Sequence, residues 1–292
     1  ITAVGLLKCP RPTWRPSPDH AMGFCGKCCG ITAVVVLALA LALPLLNRDV
    51  PGNPSERLGS GAMFDSIAPY YDMGNRLMSL GLDQSWRRAL VAGLQLKEGD
   101  KVLDLGSGTG DVAMAIGHGG HPSIQVKGVD PSPNMLSFAT EKAAKAAMSD
   151  RVKFEVGDAQ KLEGIADGSI DKVSMAFAIR NVPDRLKALK EIRRVTKGRP
   201  GSRICLLEFS LPPEDTILGW ISGNFVRVFV PILGSLVSSH PEEYAYLASS
   251  IREFPQPKVF GGMIEEAGMK LVDIEHYAGG AVQLYIAASD HE

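Results

Sequence analysis

The chain has 292 residues, of which 45% are hydrophobic and 22% are charged, and its formal net charge is -1 at pH 7. The composition is that of an ordinary globular protein, although the length is long for one domain and short for two. A chain with so little net charge has no overall field that would draw it to nucleic acid. These values therefore exclude a strongly basic nucleic-acid-binding protein.

The N-terminal part of the chain has the pattern of a targeting signal or a membrane anchor. Residues 31–46 form an apolar run without a charged side chain, and the 30 residues before it contain four basic residues and one acidic residue. This pattern is typical of a signal peptide or a signal anchor. Residues 48–60 are polar and rich in Pro and Gly, as in a linker. We therefore predict that residues 1–60 are a targeting or membrane-anchor segment with its linker, and that residues 61–292 form the catalytic domain.

The five cysteines are unevenly distributed. Cys9, Cys25, Cys28 and Cys29 lie in the first 30 residues, and the predicted catalytic domain contains only Cys205, so it has no internal disulfide. This usage is typical of a reducing compartment. A zinc site needs four ligands, and no second pair follows the CxxC at Cys25, so we expect no metal site. The N-terminal cysteines are then inert thiols or sites of lipidation.

From residue 99 onward, short apolar segments alternate with segments of helical periodicity, which is typical of an α/β sheet. Strands are predicted at residues 101–105, 124–129, 152–156, 170–177, 204–209, 271–276 and 281–287. Helices are predicted to begin at Asp111, at Pro133 after a Ser132 cap, after an Asp184 cap and at Lys258. The last two strands flank Gly279 and Gly280, as in a hairpin. We therefore predict a Rossmann-like, mostly parallel seven-stranded sheet that ends in an antiparallel hairpin.

The strongest chemical signal is residues 102–111, VLDLGSGTGD. The first predicted strand delivers Asp104, and Gly106, Gly108 and Gly110 then form a tight turn into a helix, where a backbone without Cβ atoms can approach a ligand closely. A dinucleotide site spaces its glycines GxGxxG to hold a pyrophosphate. Here the spacing is GxGxG, and an acid at the strand end suits the cationic amino-acid portion of S-adenosylmethionine. The motif therefore favours S-adenosylmethionine over a dinucleotide, with a purely structural turn as the alternative.

Two further acids follow the next two predicted strands. Asp130 ends the second strand, 20 residues after Gly110, where a carboxylate accepts hydrogen bonds from ribose hydroxyls or, alternatively, caps the following helix. Asp158 and Ala159 follow the third strand, where an acidic side chain can reach the adenine amino group. Because ligands of open α/β sheets bind at the carboxyl ends of the strands, these positions together predict an S-adenosylmethionine site.

Several blocks spread through the chain carry a narrower resemblance. They are residues 64–72 (FDSIAPYYD), 78–81 with Trp86, 179–182 (IRNV), 207–210 (LEFS), 244–247 (YAYL) and the glycine pair at 279–280. Over about residues 62–288, the chain resembles the ubiquinone/menaquinone biosynthesis C-methyltransferases, which are class I S-adenosylmethionine-dependent methyltransferases. The resemblance implies an enzyme with that cofactor and adds Thr109 to the cofactor contacts, beside Asp130, Asp158 and Ala159.

The same resemblance implies where the chemistry occurs. We hypothesise that Arg180 holds a developing phenolate and that Asn181 orients the ring, while Tyr71 and Asp72 close over the site. The alternative for Arg180 is a surface salt bridge. Ala176 stands where the family often has serine, and Asp83 stands where it usually has histidine, so substrate details remain open.

Residues 216–239 contain one charged side chain, Arg227, in 24 residues. They predict a hydrophobic lid insertion around residues 212–252 that covers an isoprenoid tail, with ordinary buried packing as the alternative. Pro231 argues against a straight spanning helix. Expected partners are thus a prenylated quinol and a membrane surface, with a homodimer or a quinone-synthesis complex also expected and no nucleic acid.

The resemblance divides between two branches. Residues 79–81, 184–186, 200–203 and 219–220 resemble the plastid and cyanobacterial branch, whereas residues 207–210 and 250–255 resemble the ubiquinone branch. We favour a demethyl-naphthoquinol of the phylloquinone or menaquinone type at a plastid membrane. The alternative is the ubiquinone-pathway methoxy-polyprenyl-benzoquinol at the mitochondrial inner membrane. Two other possibilities stay open: a methyltransferase for another small molecule, and a non-catalytic S-adenosylmethionine-binding subunit.

Overall fold

The computed structural model describes residues 61, 64–65, 68, 71–211, 217 and 241–289, without the side chains of residues 77 and 241–245. The apolar run 31–46, the linker and all but one residue of the predicted lid stretch 216–239 lie outside this part of the chain. Among the helices of the described residues, none combines the length and the apolar character needed to cross a membrane.

The described residues form one seven-stranded sheet. Its strands, in chain order, are β1 (Lys101–Leu105), β2 (Gln125–Asp130), β3 (Val152–Val156), β4 (Lys172–Ala176), β5 (Arg203–Phe209), β6 (Lys270–Tyr277) and β7 (Val282–Ala288). The spatial order is β3-β2-β1-β4-β5-β7-β6. Pairing from β3 to β5 is parallel, and β7 is antiparallel to both β5 and β6. The predicted α/β class, the mostly parallel sheet and the C-terminal antiparallel hairpin are therefore confirmed.

Helices of eight or more residues lie before and between these strands. They are α1 (Tyr71–Met78), α2 (Asp83–Gly93), α3 (Asp111–Gly119), α4 (Pro133–Lys145), α5 (Arg185–Val195), α6 (Pro241–Glu253) and α7 (Pro257–Glu266). Short 3₁₀ turns at Ile179–Asn181 and Ala278–Gly280 follow β4 and β6. Helices α1 and α2 were not predicted from the sequence, and the structure adds them before β1.

Alternation along the strands builds a core on each face of the sheet. In β5, Ile204 and Leu206 belong to one buried cluster, while Cys205 and Leu207 belong to another. Because successive side chains of a strand point to opposite faces, the two clusters lie on opposite sides of the sheet. The first contains residues of α5 and α7, and the second contains residues of α2, α3 and α4. This double cover explains why the central strands β4 and β5 are buried along nearly their whole length.

The order of the strands opens a crevice between β1 and β4. From β1 the chain builds outward through β2 to β3, then crosses to the other side of β1 to form β4 and β5. The loops after β1 and β4 therefore leave in opposite directions, which makes this a topological switch point. Ligands of open α/β sheets bind at the carboxyl ends of the strands at such a point, so the fold itself selects the position of the site.

The N-terminus of α4 is fixed by the predicted cap. The Ser132 hydroxyl accepts a hydrogen bond from the backbone N–H of Met135 at 3.1 Å, and Pro133 occupies the first turn. The same hydroxyl donates to Asp65, which also accepts the backbone N–H of Asn134 at 3.2 Å. Ser132 thus links α4 to the chain that precedes α1.

We expect Ser132→Ala to lower the free energy of unfolding by about 1–2 kcal/mol, because it removes a helix cap and a buried hydrogen bond. Urea denaturation, monitored by circular dichroism, measures this change. Ser137→Ala is the matched control, since Ser137 lies on the same helix but is exposed and bonds only to the Asn134 carbonyl. Equal losses in the two variants would contradict the assigned role of Ser132.

Candidate active site

A cleft lies at the carboxyl ends of β1, β2, β3 and β4. It contains about 720 Å³ of space not filled by protein atoms, including its open mouth. Among the residues predicted to form the site, its lining includes Gly106, Gly108, Asp130, Asp158, Ala159, Asn181 and Tyr71. The predicted residues Asp72, Asp104, Thr109, Gly110 and Arg180 are not part of this lining.

The glycine turn lies close to the loop after β4. Gly106, Gly108 and Gly110 have φ values of 61°, 54° and 86°, a region that favours glycine. A Cβ on Gly106 would lie 2.3 Å from the Cβ of Ala178, which is closer than two carbon atoms can approach. The absence of a side chain at Gly106 therefore allows the turn to fit against the β4 loop.

Asp130 lines the cleft at the end of β2. The backbone N–H of Gly108 donates to its Oδ2 and the backbone N–H of Ser132 donates to its Oδ1, both at 2.9 Å. Burial raises the pKa of this carboxyl above its ordinary value, although the two N–H donors lower it. The cap of α4 is Ser132 and not Asp130. The carboxylate is thus held at the cleft wall by the glycine turn itself, as expected for a ribose acceptor.

Asp158 and Ala159 line the cleft after β3, and the neighbouring Gln160 holds Asp158 in place. The backbone N–H of Gln160 donates to Asp158 Oδ1 at 2.8 Å, and its side-chain amide donates to both carboxylate oxygens at 3.1 Å. Gln160 also accepts the backbone N–H of Asp184 at 3.0 Å. The sequence analysis missed Gln160, although its position directly after the Asp-Ala pair was the available signal.

Asp104 does not reach the cleft lining. Its carboxylate is buried under the sheet edge, where Ser174 donates to Oδ1 at 2.7 Å and Oδ2 has no hydrogen-bond partner. Burial raises its pKa from 3.8 to about 6. The contact of Asp104 with the cofactor therefore stays a prediction, and in this structure the side chain lies behind the cleft wall. Side chains alternate along a strand, and at this position the side chain points into the protein beside β4.

Arg180 is likewise withdrawn from the cleft. Its guanidinium forms a buried ion pair with Glu208, 2.9 Å from Nη1 to Oε1, and also donates to the Phe177 carbonyl. The backbone N–H of Arg180 donates to the second Glu208 oxygen at 3.2 Å. The expected contact with a phenolate stays a prediction, and the ion pair is buried, unlike the surface salt bridge considered as the alternative. An acid inside the apolar strand β5 was the signal for Glu208.

Asn181 and Phe177 form the β4 side of the cleft. Asn181 is buried, and its side-chain oxygen accepts the Tyr246 hydroxyl of α6 at 3.3 Å. Phe177 has a φ of 57°, which is strained for a residue with a bulky side chain. This conformation ends β4 earlier than predicted and places the ring between Trp86 and Phe209, with centroids 6.3 Å and 4.7 Å away.

Of the two N-terminal residues predicted to close over the site, Tyr71 lines the cleft and Asp72 binds residues behind the cleft wall. Tyr71 lines the cleft with its ring over Gly108. Asp72 instead accepts the Thr109 hydroxyl and the Lys142 ammonium, both at 2.6 Å. Neither Thr109 nor Asp72 lines the cleft. The implied cofactor contact of Thr109 and the implied closure by Asp72 stay predictions. Lys142 carried no signal that distinguished it from other lysines of α4.

The cleft fits S-adenosylmethionine. Gly106 and Gly108 of the glycine turn line the cleft, and carboxylates stand in its wall after β2 and β3. These positions match the ribose and adenine acceptors expected for that cofactor, and the cleft continues past them to the β4 loop. The residues that would hold the cofactor are therefore Gly106, Gly108, Asp130, Asp158 and Ala159.

This sheet order, with its glycine turn and its cleft at the switch point, defines a class I S-adenosylmethionine-dependent methyltransferase, and the chain is an enzyme of this class. The ubiE/COQ5 methyltransferase family matches residues 55–289, and the chain belongs to that family. The resemblance and the cofactor predicted from the sequence are thus confirmed.

Named relatives cover most of the chain. A ubiquinone/menaquinone biosynthesis C-methyltransferase (UbiE) from Geobacter sp. strain M21 is 39% identical over 227 residues, which is 77% of this chain and 94% of the relative. A demethylmenaquinone methyltransferase from Deinococcus radiodurans is 38% identical over 208 residues, or 71% of this chain and 83% of the relative.

Solved structures share the fold at low sequence identity. An S-adenosylmethionine-dependent methyltransferase from Aquifex aeolicus has a TM-score of 0.55 and 20% identity, covering 76% of this chain and 97% of its own. A methyltransferase from Haloferax volcanii, solved in complex with the activator Trm112, has a TM-score of 0.57 and 19% identity, covering 78% and 98%.

We expect Gly106→Ala to abolish S-adenosylmethionine binding, because the added Cβ would clash with Ala178 and push the glycine turn into the cleft. Isothermal titration with the cofactor measures this loss. Gly99→Ala is the matched control, since Gly99 has a similar φ of 75° but no atom within 4 Å of the added Cβ. The control should cost about 1 kcal/mol of stability and retain binding. Retained binding by Gly106→Ala would contradict the tight-approach argument.

Asp104 should make the unliganded protein less stable as the pH rises. A carboxyl with a pKa of 3.8 when unfolded and about 6 when folded binds more protons in the folded state. Its stabilising effect is therefore full below pH 3.8 and is lost as the pH rises through about 6. At 1.36 kcal/mol per pKa unit, the loss approaches about 3 kcal/mol.

Asp104→Asn should therefore gain stability relative to the unsubstituted protein at pH 7, and the gain should vanish near pH 4. Urea denaturation across this range measures the difference. Asp150→Asn, which removes an exposed carboxylate, is the control for charge alone. Parallel stability curves for Asp104→Asn and the unsubstituted protein would contradict the raised pKa.

Proposed function

We propose that this enzyme transfers a methyl group from S-adenosylmethionine to a ring carbon of a prenylated quinol in quinone biosynthesis. The names of the two relatives support this, since one is a ubiquinone/menaquinone biosynthesis C-methyltransferase and the other a demethylmenaquinone methyltransferase. The match covers most of the chain, so the proposal concerns the whole catalytic domain.

The observation that carries the proposal is the composition of the β4 side of the cleft. Its wall is formed by Met175, Ala176, Phe177, Val182 and Pro183, and the amide of Asn181 is the polar side chain among them. An aromatic ring suits an apolar wall, and one amide can orient one ring oxygen. A charged or highly polar acceptor would find few hydrogen-bond partners on this wall and would pay the cost of desolvation there.

Bound S-adenosylmethionine supplies a methyl group on a sulfonium, which an electron-rich ring carbon accepts while that carbon gives up one proton. The protein holds the ring. The Tyr246 hydroxyl donates to the Asn181 oxygen, so the NH₂ group of Asn181 is available to donate to a quinol oxygen. Tyr71, on the opposite wall, closes the site from the N-terminal side.

In this proposal Arg180 acts as a positioning residue. Its backbone N–H and its guanidinium both bind Glu208, and the guanidinium also binds the Phe177 carbonyl. These bonds brace the 3₁₀ turn from which Asn181 faces the cleft. A buried arginine that is already paired is better suited to holding this turn than to binding a phenolate.

For the ring we favour a demethyl-naphthoquinol of the phylloquinone or menaquinone type, with the ubiquinone-pathway methoxy-polyprenyl-benzoquinol as the alternative. The branch-specific blocks and the name of the Deinococcus relative support the first. We further propose a membrane-surface location in an organelle, with the plastid favoured over the mitochondrial inner membrane. The basic flank and apolar run of residues 1–46 support this location as a signal or an anchor.

The substrate is tested by offering the full chain labelled S-adenosylmethionine with demethyl-naphthoquinol and with methoxy-polyprenyl-benzoquinol in separate detergent assays. Methylated naphthoquinol alone is the expected result. Product from the benzoquinol alone would replace our choice with the ubiquinone pathway. Product from neither, with cofactor binding confirmed by titration, would overturn the quinol proposal and favour another acceptor or a non-catalytic subunit.

We expect Asn181→Ala to lower kcat for the accepted quinol by at least about tenfold, because the ring loses its oriented donor. S-adenosylmethionine affinity should stay unchanged. Asn134→Ala is the control, since that asparagine is exposed on α4. An unchanged kcat in the Asn181 variant would show that the amide does not orient the acceptor.

A further inference from the structure

Lys142 on α4 links parts of the chain that are far apart in sequence. Its ammonium group donates to Asp72 Oδ2 at 2.6 Å, to Asp111 Oδ1 at 2.8 Å and to Thr109 Oγ1 at 3.2 Å. An ammonium has three N–H donors, and these three acceptors use all of them. The group thus joins α1, the glycine turn and the start of α3.

Lys142, Asp72 and Thr109 are bonded to one another, and Asp111 joins them through Lys142. The Thr109 hydroxyl donates to Asp72 Oδ1 at 2.6 Å, so Asp72 is bound through both oxygens. Burial raises the pKa of Asp111, but the hydrogen bonds from Lys142 and Gln84 and the charges of Lys142 and Arg87 together hold it below its ordinary value. Side-chain exposures of 34% for Lys142, 27% for Asp72 and 16% for Asp111 leave the network partly shielded from solvent.

Asp72 is adjacent to a residue that lines the cleft. Tyr71 begins α1, and its ring lies 4.0 Å from the place where a Cβ would stand on Gly108. The ring of Phe64 lies edge-on to the Tyr71 ring, with the two centroids 6.2 Å apart. Fixing Asp72 on the glycine turn therefore fixes the Tyr71 ring over the same turn.

The same helix also anchors the chain that leads into α1. At the N-terminus of α4, Asp65 accepts the Ser132 hydroxyl and the Asn134 N–H. Gly61 lies so close to Pro131 that a Cβ there would be 2.8 Å from the Pro131 carbonyl. The two ends of α4 thus hold the N-terminal arm, by which we mean Gly61, Phe64, Asp65, Ala68 and α1. Lys142 supplies the only charged tie at the C-terminal end of α4 among the described contacts of this arm.

We propose that Lys142 is a positioning residue for cofactor binding, which holds the N-terminal arm closed and the Tyr71 ring over the glycine turn. Without its charge, Asp72 would lose its ion pair, and Asp111 would keep only the Gln84 hydrogen bond and the nearby charge of Arg87, so the two carboxylates would repel more strongly. Repulsion would lift α1 and withdraw Tyr71 from the cleft wall. The cofactor would then lose one wall of its site, while the acceptor side at Asn181 would stay in place.

The experiment measures S-adenosylmethionine dissociation constants by titration, so it does not depend on the identity of the methyl acceptor. Lys142→Met should weaken binding about fivefold to tenfold, and Lys142→Arg, which keeps the charge, should restore most of the affinity. Lys145→Met is the matched control, because Lys145 lies on the same helix but pairs with Glu141 at an exposed site. It should bind the cofactor like the unsubstituted protein.

A double-mutant cycle separates positioning from a general structural effect. If Lys142 acts through Tyr71, Lys142→Met should cause no further loss of affinity in a protein that already carries Tyr71→Ala. In turnover assays with the accepted quinol, Lys142→Met should raise KM for the cofactor and leave kcat nearly unchanged. Additive losses in the cycle, or a lower melting temperature with unchanged cofactor affinity, would overturn the proposal.

Discussion

The close approach of the β1 and β4 loops is the constraint on which the site depends. Gly106 has no Cβ, and any Cβ there would lie 2.3 Å from that of Ala178. Because β1 and β4 are neighbours in the sheet but distant in sequence, this contact joins the two halves of the cleft. Cofactor groups at the glycine turn and an acceptor near Asn181 can be adjacent only because the two loops meet there.

Charged groups around the cleft are held by partners on other elements. Asp130 is bound by two backbone N–H groups, and Glu208 by Arg180. Such pairing is required because an unpaired buried charge is costly. Asp104 has one carboxylate oxygen without a hydrogen-bond partner among the described residues, and burial raises its pKa to about 6.

The sequence identified Gly106, Gly108, Asp130 and the Asp158-Ala159 pair correctly as cleft residues. Each follows a strand whose end could be located from apolar periodicity, and the ends of parallel strands converge at one edge. It could not establish the direction in which a side chain points. Whether Asp104 points into the sheet or into the cleft depends on the packing of β1 against β4, which no local pattern records.

The sequence by itself determined the order of the strands along the chain, the class of the fold and the cofactor, because these depend on local periodicity and on glycine spacing. Only the tertiary structure decided which side chains meet. The ion pair of Lys142 with Asp72 joins positions 70 residues apart, and that of Arg180 with Glu208 joins positions 28 apart. Such pairs form when packed strands and helices bring distant segments together, so a single sequence contains no local signal for them.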